Sequence, residues 1–131
     1  MAPDLKTDAA EAFNRVQMSN LGMSDLGNDF AALEPRAGQW NRLVERACTN
    51  TVFQTYQCHA SWWHAFGQGR RLLVLLAEAD GELVGVAPLM YSEQRVLGLR
   101  QRVVEFIGAR SFDYCDFIVE QARPEILSIL L

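Results

Sequence analysis

Apart from Lys6 the chain has no lysine; its other basic side chains are all arginine. That preference reads as coding bias and carries no functional weight. Positive charge is also in deficit: 12 Lys and Arg face 16 Asp and Glu, for a formal net charge of −4. A duplex-binding module would show the opposite sign, so nucleic acid is not expected as a partner. Long apolar runs are missing too. The longest, Leu72 to Ala77, is far shorter than a membrane span requires. The first residues, MAPDLKTDAAEAF, are acidic and lack the apolar centre of a secretion signal, so the expected location is cytoplasmic. In that reducing setting Cys48, Cys58 and Cys115, an odd number with no close pair, read as free thiols. There is no internal repeat and no low-complexity segment.

What the 131 residues do contain is apolar material, half of the total, sufficient for one domain with a core. Residues 1–29 are acidic and rich in Asp, Ser, Asn and Met; a short helix around Asp8 to Gln17 and a mobile leader are both open readings. From Pro35 the spacing of Trp40, Leu43, Val44 and Ala47 predicts one face of a helix. The stretch TVFQTYQCHASWW then begins extended. Thr55 is a good N-cap, a helix follows from Tyr56 to about Phe66, and Gly67 ends it. On that helix Cys58, Trp62 and Phe66 share a face at steps of four.

The clearest hairpin is RRLLVLLAEADGELVGVAPLMY. Asp80-Gly81 suits a tight primed turn, and the unbroken apolar run Leu72 to Ala77 predicts a strand covered on both faces. Gly85 and Pro88 predict that the second arm bulges or leaves the ladder. Further strands are expected at Gln94 to Leu97, at Gln101 to Ile107 after a turn at residues 98–100, and at Tyr114 to Val119. A helix opening at Arg123-Pro124-Glu125 would bury Ile126, Leu127, Ile129, Leu130 and Leu131. As that helix has no closing signal, its stripe is expected to lie bare, and the chain reads as a piece of a longer protein. Helices around a largely antiparallel sheet define the class as α/β, of the α+β kind.

Several chemistries can be weighed on spacing. His59 and His64 are five apart and point in different directions on a helix, while no Cys-x-x-Cys or His-x-x-x-His occurs, so no metal is expected. The expectation there is a buried Cys58 with both histidines near the surface. Cys115, between Tyr114 and Asp116, lacks the cationic setting that makes a thiolate, and no Gly-x-Ser-x-Gly elbow exists. Arg95-x-x-Gly98-x-Arg100 approaches a pyrophosphate-cradling loop. With arginine at its last small position and a strand following, it reads instead as a hairpin turn with a solvated arginine edge. The best polar cluster is in ARSFDYCDFIV. Ser111, Asp113, Tyr114 and Asp116 gather where an apolar strand begins, as turn-makers or as the lining of a substrate cleft.

The order Trp40, then TVFQT with an aromatic helix ending WWHAFG, then LLVLLAEADGELVGVAPLM, then VVEFIGARSFDYCDFIV, resembles the CelD-like branch of the GNAT acyltransferases. These are related to the FemAB peptidyltransferases, in which two GNAT-like halves stand in tandem. The likeness covers residues 30–131 and implies a GNAT-like, mostly antiparallel sheet flanked by helices, cut within a helix. Two departures accompany it. Cysteine stands at Cys58 where such proteins usually show tryptophan, and the stretch Glu120 to Pro124, where a GNAT half places its coenzyme loop, has no glycine. The resemblance therefore implies a first, degenerate half, inactive alone. It would hold no cofactor itself, while acetyl-CoA or another acyl-CoA, the amine acceptor's chemistry and the catalytic residues would belong to a second half. A reading from another class is a non-catalytic module that docks a partner through its sheet edge and C-terminal helix.

Overall fold

The computed structural model describes residues 16–20, 29–48, 50–113 and 115–130. Strand β1 (Val16–Asn20) is followed by a 3₁₀ turn (Phe30–Arg36), helix α1 (Ala37–Arg46), a second 3₁₀ turn (Val52–Gln54) and helix α2 (Tyr56–Phe66). Then come strands β2 (Arg71–Ala79), β3 (Glu82–Val96), β4 (Leu99–Phe106) and β5 (Ile118–Val119), and helix α3 (Ile126–Leu130). Among the described residues every strand pairing is antiparallel. The mixed α/β class expected from the sequence is the class observed.

The sheet runs β1-β2-β3, and β4 and β5 share the far side of β3, end to end. Val16–Asn20, which belong to the acidic leader of the sequence, form the edge strand β1 on β2; the rest of that leader lies outside the described residues. β2 is apolar without a break from Leu72 to Ala77 because both its faces are covered there. Leu72, Val74 and Leu76 join Trp40, Leu43, Trp62 and Trp63 in the main core. Ala77 and Ala79 pack with Ala87, Ile126 and Leu130 on the opposite side. Burial of the leucine, valine and isoleucine side chains among these is worth roughly 2 kcal/mol each, so the two helical layers clamp the sheet from both sides.

The Asp80-Gly81 turn has φ of 52° and 80°, the left-handed pair that a primed two-residue turn demands. Ala77 pairs with Gly85 but Glu78 with Leu83, so Val84 is the extra residue of a bulge beside Gly85. Pro88 does not leave the ladder; it stays opposite Val74. Its carbonyl accepts from Ile107 N at 2.9 Å, and its nitrogen, on the same side, faces the gap between β4 and β5 where no ladder needs a donor.

Other boundaries differ from the sequence reading. β3 continues unbroken through Gln94, and the turn falls on Leu97-Gly98 because Val96 pairs with Leu99. The helix expected from Pro35 starts at Ala37, after a 3₁₀ turn capped by Asp29 Oδ1 on Ala31 N. Only Ile118 and Val119 of the last strand join the sheet, since residues 107–113 are taken up by turns and a bend. The described part of the α3 stripe is not bare: Ile126 and Leu130 are buried against the sheet, Ile129 is half-buried and Leu127 is exposed, while Leu131 lies outside the described residues.

Candidate functional site

Helix α2 is the centre of the candidate site, and its ends are set locally. Thr55 Oγ1 accepts from Cys58 N at 3.3 Å, and Gly67 closes the helix by donating to Trp63 O at 2.8 Å. A Cβ on Gly67 would lie 2.6 Å from the Trp63 ring, so the stop also lets that indole lie flat against the backbone. Trp62 and Trp63 are both buried. The expectation for the histidines is corrected: Cys58 is half-buried, His64 is exposed, and His59 is the buried one, at 2 % exposure. Its Nδ1 donates to Thr55 O at 2.8 Å and its ring packs against Trp40 and Phe112. Burial outweighs that bond and lowers its pKa to about 4. The ring is therefore a neutral core residue at neutral pH.

A groove of about 640 Å³ opens between the first 3₁₀ turn and α2, lined by Asp29, Glu34, Tyr56, Trp63 and His64 among others. The Tyr56 hydroxyl donates to Phe30 O at 3.2 Å, which fixes its ring at the groove wall. Burial raises the Tyr56 pKa, and the carboxylates of Glu34 and Asp29 raise it further. Both acids thus act on the same wall. Two carboxylates beside aromatic faces favour an organic cation, which gains from charge and from the ring quadrupole together.

The residues singled out in the sequence are dispersed. Ser111 N donates to Gly108 O, and Ser111 Oγ accepts from Trp62 Nε1 at 2.9 Å, so this hydroxyl serves the α2 packing. Asp113 is exposed. Tyr114 lies outside the described residues. Asp116 Oδ1 accepts from Phe117 N at 2.8 Å, and Asp116 lines a smaller groove of about 190 Å³ with Cys48, Glu120 and Pro124, on the α3 side. In that groove Glu120 is paired with Arg46 and Arg123.

Burial raises the thiols of Cys58 and Cys115, the latter also through its neighbour Cys58, so neither is poised as a nucleophile. Among the described residues no group of three His, Cys, Asp or Glu side chains could hold a metal ion, and no helix is long and apolar enough to cross a membrane. Asp29, Glu34 and Tyr56 were not legible as a site in the sequence, because packing of α2 on the 3₁₀ turn is what joins them. Compared with family models, with curated proteins and with solved structures, the chain matches none.

Proposed function

We propose that the chain serves acyl transfer from coenzyme A to an amine, as the first half of a CelD-like, FemAB-related tandem GNAT acyltransferase, with its α2 groove holding the cationic acceptor. The observation that carries this reading is the pairing of Asp29 and Glu34 with the Tyr56 and Trp63 rings around one opening. The sequence order of FQT, the paired tryptophans and the Asp80-Gly81 hairpin supports the family. An acceptor amine arrives as an ammonium ion, is held by charge and ring faces, and must lose a proton before its nitrogen attacks the thioester carbonyl. The donor, acetyl-CoA or another acyl-CoA, and the groups that take the proton and stabilise the oxyanion belong in this reading to the second half.

Three observations test the reading. Tryptophan fluorescence titrated with phenethylamine, with Trp63→Phe as the blank for Trp40 and Trp62, is expected to saturate, and Glu34→Gln to weaken binding several-fold; no saturation with the unaltered chain would remove the acceptor role. Downstream of Leu131 the coding sequence is expected to encode a second strand, glycine loop and helix, and a stop codon there would sink the tandem assignment. The isolated chain is expected to show no acetyl-CoA turnover. The rival reading of a docking module has less surface than the sequence suggested, since Ile126 and Leu130 already face the sheet.

A further inference from the structure

Beyond Tyr91, the last residue of β3 to pair with β2, β3 and β4 continue as a two-stranded arm that no other described strand joins. Pairing places Glu93 opposite Arg102, Gln94 opposite Gln101, Arg95 opposite Arg100 and Val96 opposite Leu99, with Leu97-Gly98 at the tip. Every residue from Glu93 to Arg102 is exposed. Such an arm is marginal by itself, and three of its choices make it worse. Leu97 occupies the first left-handed position of the turn, φ 53°, where Asn or Gly costs least, and its side chain is 98 % exposed. Val96 and Leu99 stand bare beside it, at 42 % and 67 %. Arg95 and Arg100 face each other directly, a like-charge pair that repels.

We propose that this arm is a docking element for an anionic lipid surface, with Leu97, Val96 and Leu99 entering the interface and Arg95 and Arg100 meeting the headgroups. The exposure of Leu97, Val96 and Leu99 and the Arg95–Arg100 repulsion are both relieved by that one partner, which offsets the left-handed backbone cost at Leu97 without removing it. Aliphatic side chains leave water, and opposed guanidinium groups gain anions between them. The dimensions agree: Leu97 leads the arginine pair by two residues, about 7 Å at strand rise, within the roughly 5–10 Å to which interfacial elements sink. Charge also agrees. The arm carries Arg95, Arg100 and Arg102 against Glu93 alone, in a chain whose net charge is −4, so an anionic surface attracts this end and repels the remainder. A protein partner is disfavoured by the chemistry of the tip, which is convex and aliphatic with no aromatic anchor, whereas leucine and valine are under-represented among the residues that dominate protein interfaces.

The test is co-sedimentation of the full chain with vesicles of phosphatidylcholine alone and with about one-third phosphatidylglycerol. The chain is expected to pellet with the mixed vesicles, to stay in solution with the neutral ones, and to be released as salt rises. Two variants separate binding from folding. Leu97→Asn creates the preferred Asn-Gly turn and removes the apolar tip. Arg95→Glu converts a repelling cross-strand pair into an attracting one and removes the headgroup contact. Both should melt at or above the temperature of the unaltered chain. Leu97→Asn should bind the mixed vesicles roughly tenfold more weakly, and Arg95→Glu roughly thirtyfold, at about fivefold per interfacial charge. Equal pelleting with both vesicle types or with neither, or full binding by Leu97→Asn, overturns the proposal. So does a dimer in sedimentation velocity that Leu97→Asn abolishes without any lipid dependence, which would assign the tip to a second copy of the chain.

Discussion

The ring of His59 meets Phe112 edge-on, 5.6 Å between centroids and 87° between planes, and Trp40 closes its other side at 5.3 Å. One imidazole thus joins α1, α2 and the turn after β4 into a single packed unit. This ring must stay neutral to remain there. Its folded pKa lies at about 4, below the ordinary 6.5, so on acidification the unfolded chain takes up the proton first. The stabilising contribution is complete above pH 6.5 and is lost as pH falls towards 4. At its limit the loss is about 3 kcal/mol. Urea midpoints of the unaltered chain and of His59→Phe, measured between pH 7 and 4, should converge as pH falls. Parallel curves would show that His59 does not titrate on unfolding.

Local signals were legible wherever a few consecutive residues decide the backbone. Thr55 and Gly67 bound α2 because cap and stop act within one turn, and Asp80-Gly81 closes its hairpin for the same reason. What failed depends on contacts distant in sequence. His59 turns inward because Trp40 and Phe112 enclose it, and neither is near it in the chain. Pro88 is tolerated in β3 because β4 and β5 leave a gap on one side, which no spacing announces. The turn falls on Leu97-Gly98 and not on residues 98–100 because pairing of Val96 with Leu99 forces leucine into a left-handed position that its chemistry does not announce. The α2 groove joins residues 29 and 34 to residues 56 and 63, so it exists only once the helices pack. In the polar cluster near residue 113, Ser111 reads from its neighbours as a turn-maker or a cleft residue, whereas its partner, Trp62, sits 49 positions away.

Gly85 and Ile126 set how closely α3 lies on the sheet. A Cβ at Gly85 would fall 2.5 Å from Ile126 Cγ2 and 3.2 Å from Leu130 Cδ1. Gly85→Ala should therefore push the helix off and cost about 1–3 kcal/mol, as overpacking does. Adding Ile126→Ala to the same chain makes room again, so the double variant should lose less than the sum of the two singles. Thermal melts of the four proteins measure this, and strict additivity would mean that the two residues do not touch.

Ser111 offers a direct choice between packing and ligand binding. Its hydroxyl accepts from Trp62 Nε1, a bond worth about 1 kcal/mol. Ser111→Ala should lower stability by that amount, and the cost should vanish in a Trp62→Phe background, where the donor is already absent. A double-mutant cycle followed by chemical denaturation gives the coupling. Zero coupling would free Ser111 for some other role.

The α2 groove carries its own reporter. Burial, then Glu34, then Asp29 hold the Tyr56 phenol above its ordinary 10.0. Glu34→Gln removes one of the two carboxylate contributions and leaves burial in place, so the Tyr56 titration should move down without reaching the ordinary value. Ultraviolet titration with Tyr56→Phe as the blank isolates this phenol from Tyr91 and Tyr114. A cation bound between Asp29 and Glu34 would offset the same negative field, so saturating phenyltrimethylammonium, which keeps its charge above pH 10, should also lower the Tyr56 midpoint. In Glu34→Gln this cation should move it much less, because part of its binding charge has gone. If phenyltrimethylammonium leaves the Tyr56 titration of the unaltered chain where it was, the groove is not where a cation sits.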